Sequence, residues 1–206
     1  MLCNCIVLQR CCYQKNKGYG EKVIYSKESL SDCLSKDNGY LSEFDRVGRL
    51  SYMKRVQDPE YYICKYLYYL RHEEYYLNKK SSYLSKLMML FYERKKNRLG
   101  VQLGFYIDAN CFEEGLTLFH HGSIIVNPAA KIGKNCKLHG NNCIGNNGLT
   151  NHCPKIGNNV DIGFGAVIIG DIEIADDIKI GANAVVNKSF LEPGITIAGV
   201  PAKRVK

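Results

Sequence analysis

An aliphatic residue returns at every sixth position through most of the second half of the chain. The ten residues of this series are Val126, Ile132, Leu138, Ile144, Ile156, Ile162, Ile168, Ile174, Ile180 and Val186. The interval from Ile144 to Ile156 is two repeats, so the phase continues across a polar insertion at 145–155. A short fixed period is the sequence signature of a solenoid. Ten matches in one phase therefore leave few other folds for this part of the chain.

The residues between the aliphatic positions indicate how such a chain turns. Four places after the aliphatic residue a small or aliphatic residue tends to recur, as at Ala130, Cys136, Val160, Ala166, Ile172, Ile178 and Ala184. In a solenoid of triangular cross-section the first residue points to the axis and the second lies near a corner. The residues expected to supply positive φ at the corners are Asn135, Asn141, Asn146, Asn158 and Asn183. Three six-residue sides make a coil of about 18 residues, which predicts about four coils of parallel β-helix.

The first part of the chain is predicted to be helical. Ser26 precedes a short helix over 27–36, and a second candidate covers 43–56. Asp58 followed by Pro59 is a clear helix start, and the helix after it is expected to cover 60–77. A last helix begins after Ser81 or Ser82 and runs to about Arg98, with Gly100 as its C-terminal glycine.

The charge divides the chain at the same place. Residues 1–100 carry 19 Lys and Arg against 11 Asp and Glu, whereas residues 101–206 carry 9 of each. We therefore expect an α+β chain with a tail at 1–25, an α-helical domain at 26–100 and a β-helix domain at 101–206. The many tyrosines recur at helical spacing, which favours packing between helices over nucleic-acid binding. Peripheral contact of the basic half with a membrane or with biosynthetic partners stays open.

The ten cysteines do not form a recognisable framework. No C-x-x-C pair is present, so the common zinc spacings are absent and no metal is expected. Free thiols favour a reducing, cytoplasmic location. No apolar run approaches the length of a membrane span.

Several motifs give the second half a family resemblance. GANAVVNK at 181–188 and AGVPAKRV at 198–205 are typical of the hexapeptide-repeat acyltransferases, and GLTLFHHG at 115–122 narrows the resemblance. The chain is similar to serine acetyltransferases and to their relatives that acetylate exopolysaccharides. This resemblance implies a left-handed β-helix, a homotrimer and an O-acetyltransferase that uses acetyl-CoA as co-substrate.

Four of the five histidines fall within residues 120–152, and histidine is a natural general base for this transfer. By resemblance the base is His120, with His121 and His139 as alternatives. An aspartate precedes the base in serine acetyltransferases, and Phe119 stands there in this chain. A second, orienting aspartate matches about Phe105, so Asp108 is the candidate to replace it.

The loss of both carboxylates affects the expected acceptor. A serine ammonium group loses its obvious partner, so we expect a sugar or polysaccharide precursor hydroxyl, with Phe119, Asp108 and His152 as acceptor-binding residues. L-Serine, as in cysteine biosynthesis, is the alternative. The residues expected by resemblance to bind coenzyme A are Gly145, Phe164, Ala182, Lys188, Lys203 and Arg204.

Two further interpretations of the same sequence remain. One is a metal-dependent hydrolase of the carbonic-anhydrase type on the same solenoid, which would use His120, His139 and His152. The other is a non-catalytic scaffold whose helices bind partners at a membrane.

Overall fold

A computed structural model describes residues 24–38, 46–79 and 82–206 of the chain. In this described part of the chain four helices come first: α1 (Lys27–Lys36), α2 (Arg46–Arg55), α3 (Pro59–Asn78) and α4 (Tyr83–Leu103). The predicted start of the second helix, at 43–45, lies outside the described residues, as do the N-terminal cysteines and most of the predicted tail. Within these ranges, no helix is both long and apolar enough to cross a bilayer.

The predicted helix starts are confirmed by their caps. Ser26 accepts the backbone N–H of Ser29 in a reciprocal capping box before α1. Asp58 accepts the N–H of Glu60 before α3, whose first residue is Pro59. Each cap satisfies a backbone donor that the first turn of a helix leaves without a partner.

The predicted end of α4 is wrong by several residues. The helix ends at Leu103, and Gly104 provides the left-handed C-terminal residue with φ +79°. Gly100 lies inside the helix, where a Cβ would come within 2.6 Å of the Phe105 carbonyl oxygen. Gly100 is therefore needed for close helix–strand packing and not for helix termination. The helices and strands also share one buried hydrophobic cluster.

Fourteen short strands follow. They are β1 (Phe105–Ile107), β2 (Thr117–Leu118), β3 (Ile124–Val126), β4 (Lys131–Ile132), β5 (Lys137–Leu138), β6 (Cys143–Gly145), β7 (Lys155–Ile156), β8 (Asp161–Ile162), β9 (Val167–Ile169), β10 (Glu173–Ile174), β11 (Lys179–Ile180), β12 (Val185–Val186), β13 (Thr196–Ala198) and β14 (Lys203–Arg204).

The strands form three sheets that the chain visits in turn. Sheet A has the order β1-β3-β6-β9-β12, sheet B the order β10-β7-β4, and sheet C the order β14-β13-β11-β8-β5-β2. The pairs are parallel except for β13 with β14 at the end of the chain. From β2 to β10 each coil contributes a strand to sheet C, then to sheet A, then to sheet B; after β11 and β12 an isolated bridge between Ile174 and Phe190 replaces the sheet B strand. The result is a triangular parallel β-helix, as the repeat predicts.

The repeat positions form the axis of this solenoid. All ten aliphatic residues of the series are at most 4% exposed, and the seven residues four places after them are also buried. Burial of an aliphatic side chain of this size stabilises a fold by about 1.5–3 kcal/mol. Stacked over successive coils, these residues supply the continuous core that a solenoid needs.

The predicted corner asparagines are partly confirmed. Asn135, Asn141 and Asn183 have positive φ. In the coil after Asn135, however, the residue with positive φ is Asn159 and not Asn158. The Asn158 side chain instead accepts the N–H of Lys134 in the preceding coil. Asn146 is not among the positive-φ residues either, and its side chain accepts the N–H of Gly148 in the inserted loop.

The outer faces of the three sheets differ in chemistry. On sheet B the outward residues of successive coils are Lys131, Lys155 and Glu173. On sheet C they are Thr117, Lys137, Asp161, Lys179 and Thr196, of which all but the buried Thr117 lie at the surface. On sheet A the outward residues in register are Tyr106, Ile125, Cys143, Val167 and Val185. Sheet A therefore presents a flat apolar face, on which Tyr106 is 51% and Ile125 46% exposed.

Candidate active site

The corner between sheets C and A contains three of the histidines that the sequence singles out: His120, His121 and His139. Here it is called the C–A corner: the residues that follow β2, β5, β8 and β11 in successive coils. Because Leu118, Leu138, Ile162 and Ile180 are in register, the residues after them stack in two columns. One column runs Phe119, His139, Gly163 and Gly181. The other runs His120, Gly140, Phe164 and Ala182.

His139 is held on two sides. Its Nε2 lies 2.8 Å from Oδ1 of Asp161, which is on β8 in the next coil. The Phe119 ring of the preceding coil stacks on the imidazole at 4.5 Å between centroids and 20° between planes. Each partner of the His139–Asp161 pair remains about one third exposed. The histidine is therefore ordered by its neighbours and still open to a ligand.

His120 and His121 are placed differently. Both are exposed, and among the described residues neither side chain has a hydrogen-bond partner. Below His120, Gly140 keeps the column open, since a Cβ there would lie 3.2 Å from the Phe164 ring and 3.6 Å from the His120 Cβ. Gly140 also has φ +117°, which side chains rarely adopt.

The predicted acceptor residues do not all reach this corner. Phe119 does, but Asp108 follows β1 at the corner between sheets A and B, called here the A–B corner. A strand of sheet A therefore separates Asp108 from His120, so within one chain Asp108 does not orient that histidine. His152 also lies at the A–B corner, where its Nδ1 is 3.7 Å from an Asp171 oxygen and both side chains are exposed.

The A–B corner has a cavity of its own. Its volume is about 210 Å³, and it is lined by Asn127, Pro128, Asn146 and Asn151. The wall is rich in amides because the inserted loop packs beside the turn after β3.

A zinc set of His120, His139 and His152 is not assembled within one chain, since His152 is at a different corner. Among the described residues, no group of three or more His, Cys, Asp or Glu side chains could hold a metal ion. Cysteine nucleophiles are also disfavoured. Burial raises the pKa of the Cys143 and Cys153 thiols and raises that of Cys111 to about 12, which favours the unreactive thiol.

Comparisons with known proteins agree on one group. The serine acetyltransferase of Buchnera aphidicola is 35% identical over 95 residues, which are 45% of this chain and 36% of that protein. The serine acetyltransferase of Helicobacter pylori is 36% identical over 93 residues, 44% of this chain and 54% of that protein. The chain thus matches roughly a third to a half of the length of these curated relatives. A scan against protein-family models finds no match.

The structural comparison covers more of the chain. The soybean serine acetyltransferase apoenzyme superimposes with a TM-score of 0.67 at 25% identity, over 87% of this chain and 70% of that one. The chain resembles the serine acetyltransferases in sequence and in fold. Its fold is a left-handed β-helix preceded by helices, so the expected fold and resemblance are confirmed.

The residues predicted to bind coenzyme A fall into three groups in the structure. Phe164 and Ala182 continue the His120 column of the C–A corner, and Phe164 is 44% exposed. Gly145 ends β6 on sheet A and is buried. The cationic residues are all exposed near the end of the chain: Lys188 lies over the Phe190 ring at 5.4 Å, Lys203 is on β14, and Arg204 pairs with Glu192 at 2.6 Å.

Asp161 is the site residue that the sequence reasoning missed. A coil of about 18 residues would place Ile156 level with Leu138, but the structure pairs Leu138 with Ile162. The polar insertion lengthens this coil by one repeat without changing the phase. Counting a longer coil across the insertion would have placed Asp161 next to His139.

Proposed function

We propose that this chain transfers an acetyl group from acetyl-CoA to the hydroxyl of L-serine. The observation that carries the proposal is the similarity, over both helices and solenoid, to solved serine acetyltransferases. The soybean enzyme has also been solved in a complex with serine. The relatives and solved structures compared above are named for serine, so they favour this acceptor over the sugar hydroxyl that Phe119 led us to expect.

The proposed reaction needs few groups. A neutral histidine of the C–A corner takes the hydroxyl proton as the serine oxygen attacks the thioester carbonyl carbon. The tetrahedral intermediate then expels the coenzyme A thiolate, which takes the proton back from the imidazolium. The products are O-acetylserine and coenzyme A, and no covalent enzyme intermediate is required. By resemblance His120 is the base, and His121 and His139 are the neighbouring candidates.

Acetyl-CoA is proposed to lie along the His120 column. The open slot at Gly140 and the exposed ring of Phe164 offer an apolar track for an extended pantetheine arm. Lys188 and Lys203 would meet its phosphates as point charges. Arg204 would do so only after leaving Glu192, because the short contact between them occupies its guanidinium.

We further propose a homotrimer with a site between copies. The flat apolar face of sheet A is the surface on which a second copy would pack, since the outer faces of the other two sheets carry charged residues. The C–A corner with its histidines and the A–B corner with His152 flank this face on opposite sides. A head-to-tail ring of three copies would therefore bring the histidines of one copy near the A–B corner of the next.

The test is acetyl-CoA turnover, followed by thiol release, with L-serine, nucleotide sugars and oligosaccharides as separate acceptors. We expect release with L-serine and loss of release in a His120→Ala/His139→Ala double variant. Release with a sugar and not with L-serine would overturn the proposed acceptor. No release with any acceptor, or full activity in the double variant, would overturn the proposed reaction or its location.

A further inference from the structure

We propose that His139 is the general base of the acetyl transfer and that Asp161 is its positioning residue. The inference rests on the proposed function and names the residues that perform its proton transfer. It departs from the resemblance, which points to His120.

The contacts at His139 determine where its proton sits. An ionised carboxylate only accepts hydrogen bonds, so the imidazole nitrogen that faces Asp161 Oδ1 at 2.8 Å must carry the hydrogen. In the neutral ring that nitrogen is Nε2, which leaves the lone pair on Nδ1. The stacked Phe119 ring limits rotation of the imidazole about the Cβ–Cγ bond of His139. A histidine with a defined tautomer and a fixed plane is what a general base requires.

The carboxylate itself is held by the solenoid. Asp161 lies on β8 between β5 and β11, and its backbone N–H donates to the Ile178 carbonyl. A residue in the middle of a sheet has little freedom of backbone movement. Asp161 is therefore a stable anchor for the side chain of the preceding coil.

The phenylalanine side chains at positions 119 and 105 supply packing and no charge. Phe119 stacks on His139, and Phe105 is buried in an edge-to-face contact with Tyr66 at 5.2 Å. Among the described residues, Asp161 is the carboxylate that contacts a histidine of the C–A corner. The histidine–carboxylate pair of this corner is thus His139 with Asp161.

In the proposed acetyl transfer, His139 takes up one proton and gives back the same proton. Nδ1 of His139 takes the proton from the acceptor hydroxyl as the new oxygen–carbon bond forms. The carbon–sulfur bond then breaks, and the thiolate takes the same proton from Nδ1. Asp161 stays ionised throughout and stabilises the imidazolium that exists between the two transfers.

The test compares single variants in the thiol-release assay. His139→Ala should lower kcat by about 10²- to 10⁴-fold with a smaller change in the KM for acetyl-CoA, and added imidazole should restore part of the activity of His139→Gly. Asp161→Asn should lower kcat by roughly 10- to 10⁴-fold, because an amide no longer enforces one tautomer. Asp161→Glu should recover part of that loss. The matched control is Lys137→Gln, an outward residue in register with Asp161, which should keep wild-type kcat.

Two results would overturn the inference. One is loss of activity in His120→Ala together with full activity in His139→Ala, and the other is an Asp161→Asn variant with unchanged kcat. If the wild type turns over no acceptor, the proposed function fails separately. Nitrogen chemical shifts of His139 then decide the positioning role, since Asp161→Asn removes the charged acceptor and should shift the Nε2 resonance, and an unchanged Nε2 resonance would overturn it.

Discussion

Arg71 joins the helices to the solenoid through a buried network of charges, and its removal is the sharpest test of the fold. Its guanidinium is 1% exposed and contacts Asp37 at 2.7 Å and Glu74 at 2.9 Å. It also donates to the carbonyls of Phe112 and Glu113, which lead into β2. The variant Arg71→Met keeps most of the buried aliphatic stem and removes the charge.

The expected loss follows from what the variant leaves behind. Asp37 and Glu74 are 4% and 2% exposed, so two carboxylates would stay buried without their counter-ion. Removing one partner of a buried ion pair costs about 3–5 kcal/mol. For a chain of this size each kcal/mol lowers Tm by about 2–4 °C, so Tm should fall by roughly 6–20 °C.

Thermal unfolding followed by circular dichroism measures this effect, and the helices supply a matched control. Arg49 pairs with Glu60 at 3.4 Å, but both side chains are more than one third exposed. Arg49→Met should therefore change stability by no more than about 1 kcal/mol. Equal shifts in Tm for the two variants would refute the assignment of Arg71 as the central charge of the interface.

Two more predictions concern the sheet A face and a buried acid. Ile125→Lys, on the apolar face of sheet A, should convert the proposed homotrimer to monomer in light scattering, whereas Thr196→Lys on sheet C should not; an unchanged mass for both would exclude sheet A as the contact. Burial raises the pKa of Glu73 from 4.5 to about 7, although Lys96 Nζ lies 2.8 Å away. The folded state therefore binds this proton more tightly, so the free energy of unfolding should fall as pH rises from about 4.5 to about 7. Denaturant unfolding across that window should show the wild type losing stability relative to Glu73→Gln, and parallel curves would contradict the burial effect.

The features that local sequence predicts well are those in which one residue has one role. The aliphatic residues of the repeat are all buried because a hexad can place them only on the axis. Ser26, Ser82 and Asp58 cap helices because a short polar side chain before a helix has few other uses. The repeat positions and the helix caps can be predicted without knowing which distant residues are in contact.

The features that sequence reasoning missed depend on contacts between separate segments of the chain. Gly100 is a plausible helix terminator by sequence, but its actual role is set by Phe105, which packs against it. Asp161 looks like an ordinary surface residue of a strand until the length of the coil before it is known. In both cases the role of the residue is set by the register between two segments. The helix end sets the register for Gly100, and the inserted loop sets it for Asp161.

Register between segments also explains how the helical half is joined to the solenoid. β2 is the edge strand of sheet C, and an unpaired edge exposes backbone groups that need partners. Asn38, just after α1, donates its N–H to the Leu116 carbonyl and accepts the N–H of Leu118 on its side chain. Asp37 accepts the N–H groups of Gly115 and Leu116 and is itself held by Arg71. The helices therefore close the open end of the solenoid directly before Phe119 and His120, and the position of the Phe119 ring on His139 depends on that closure.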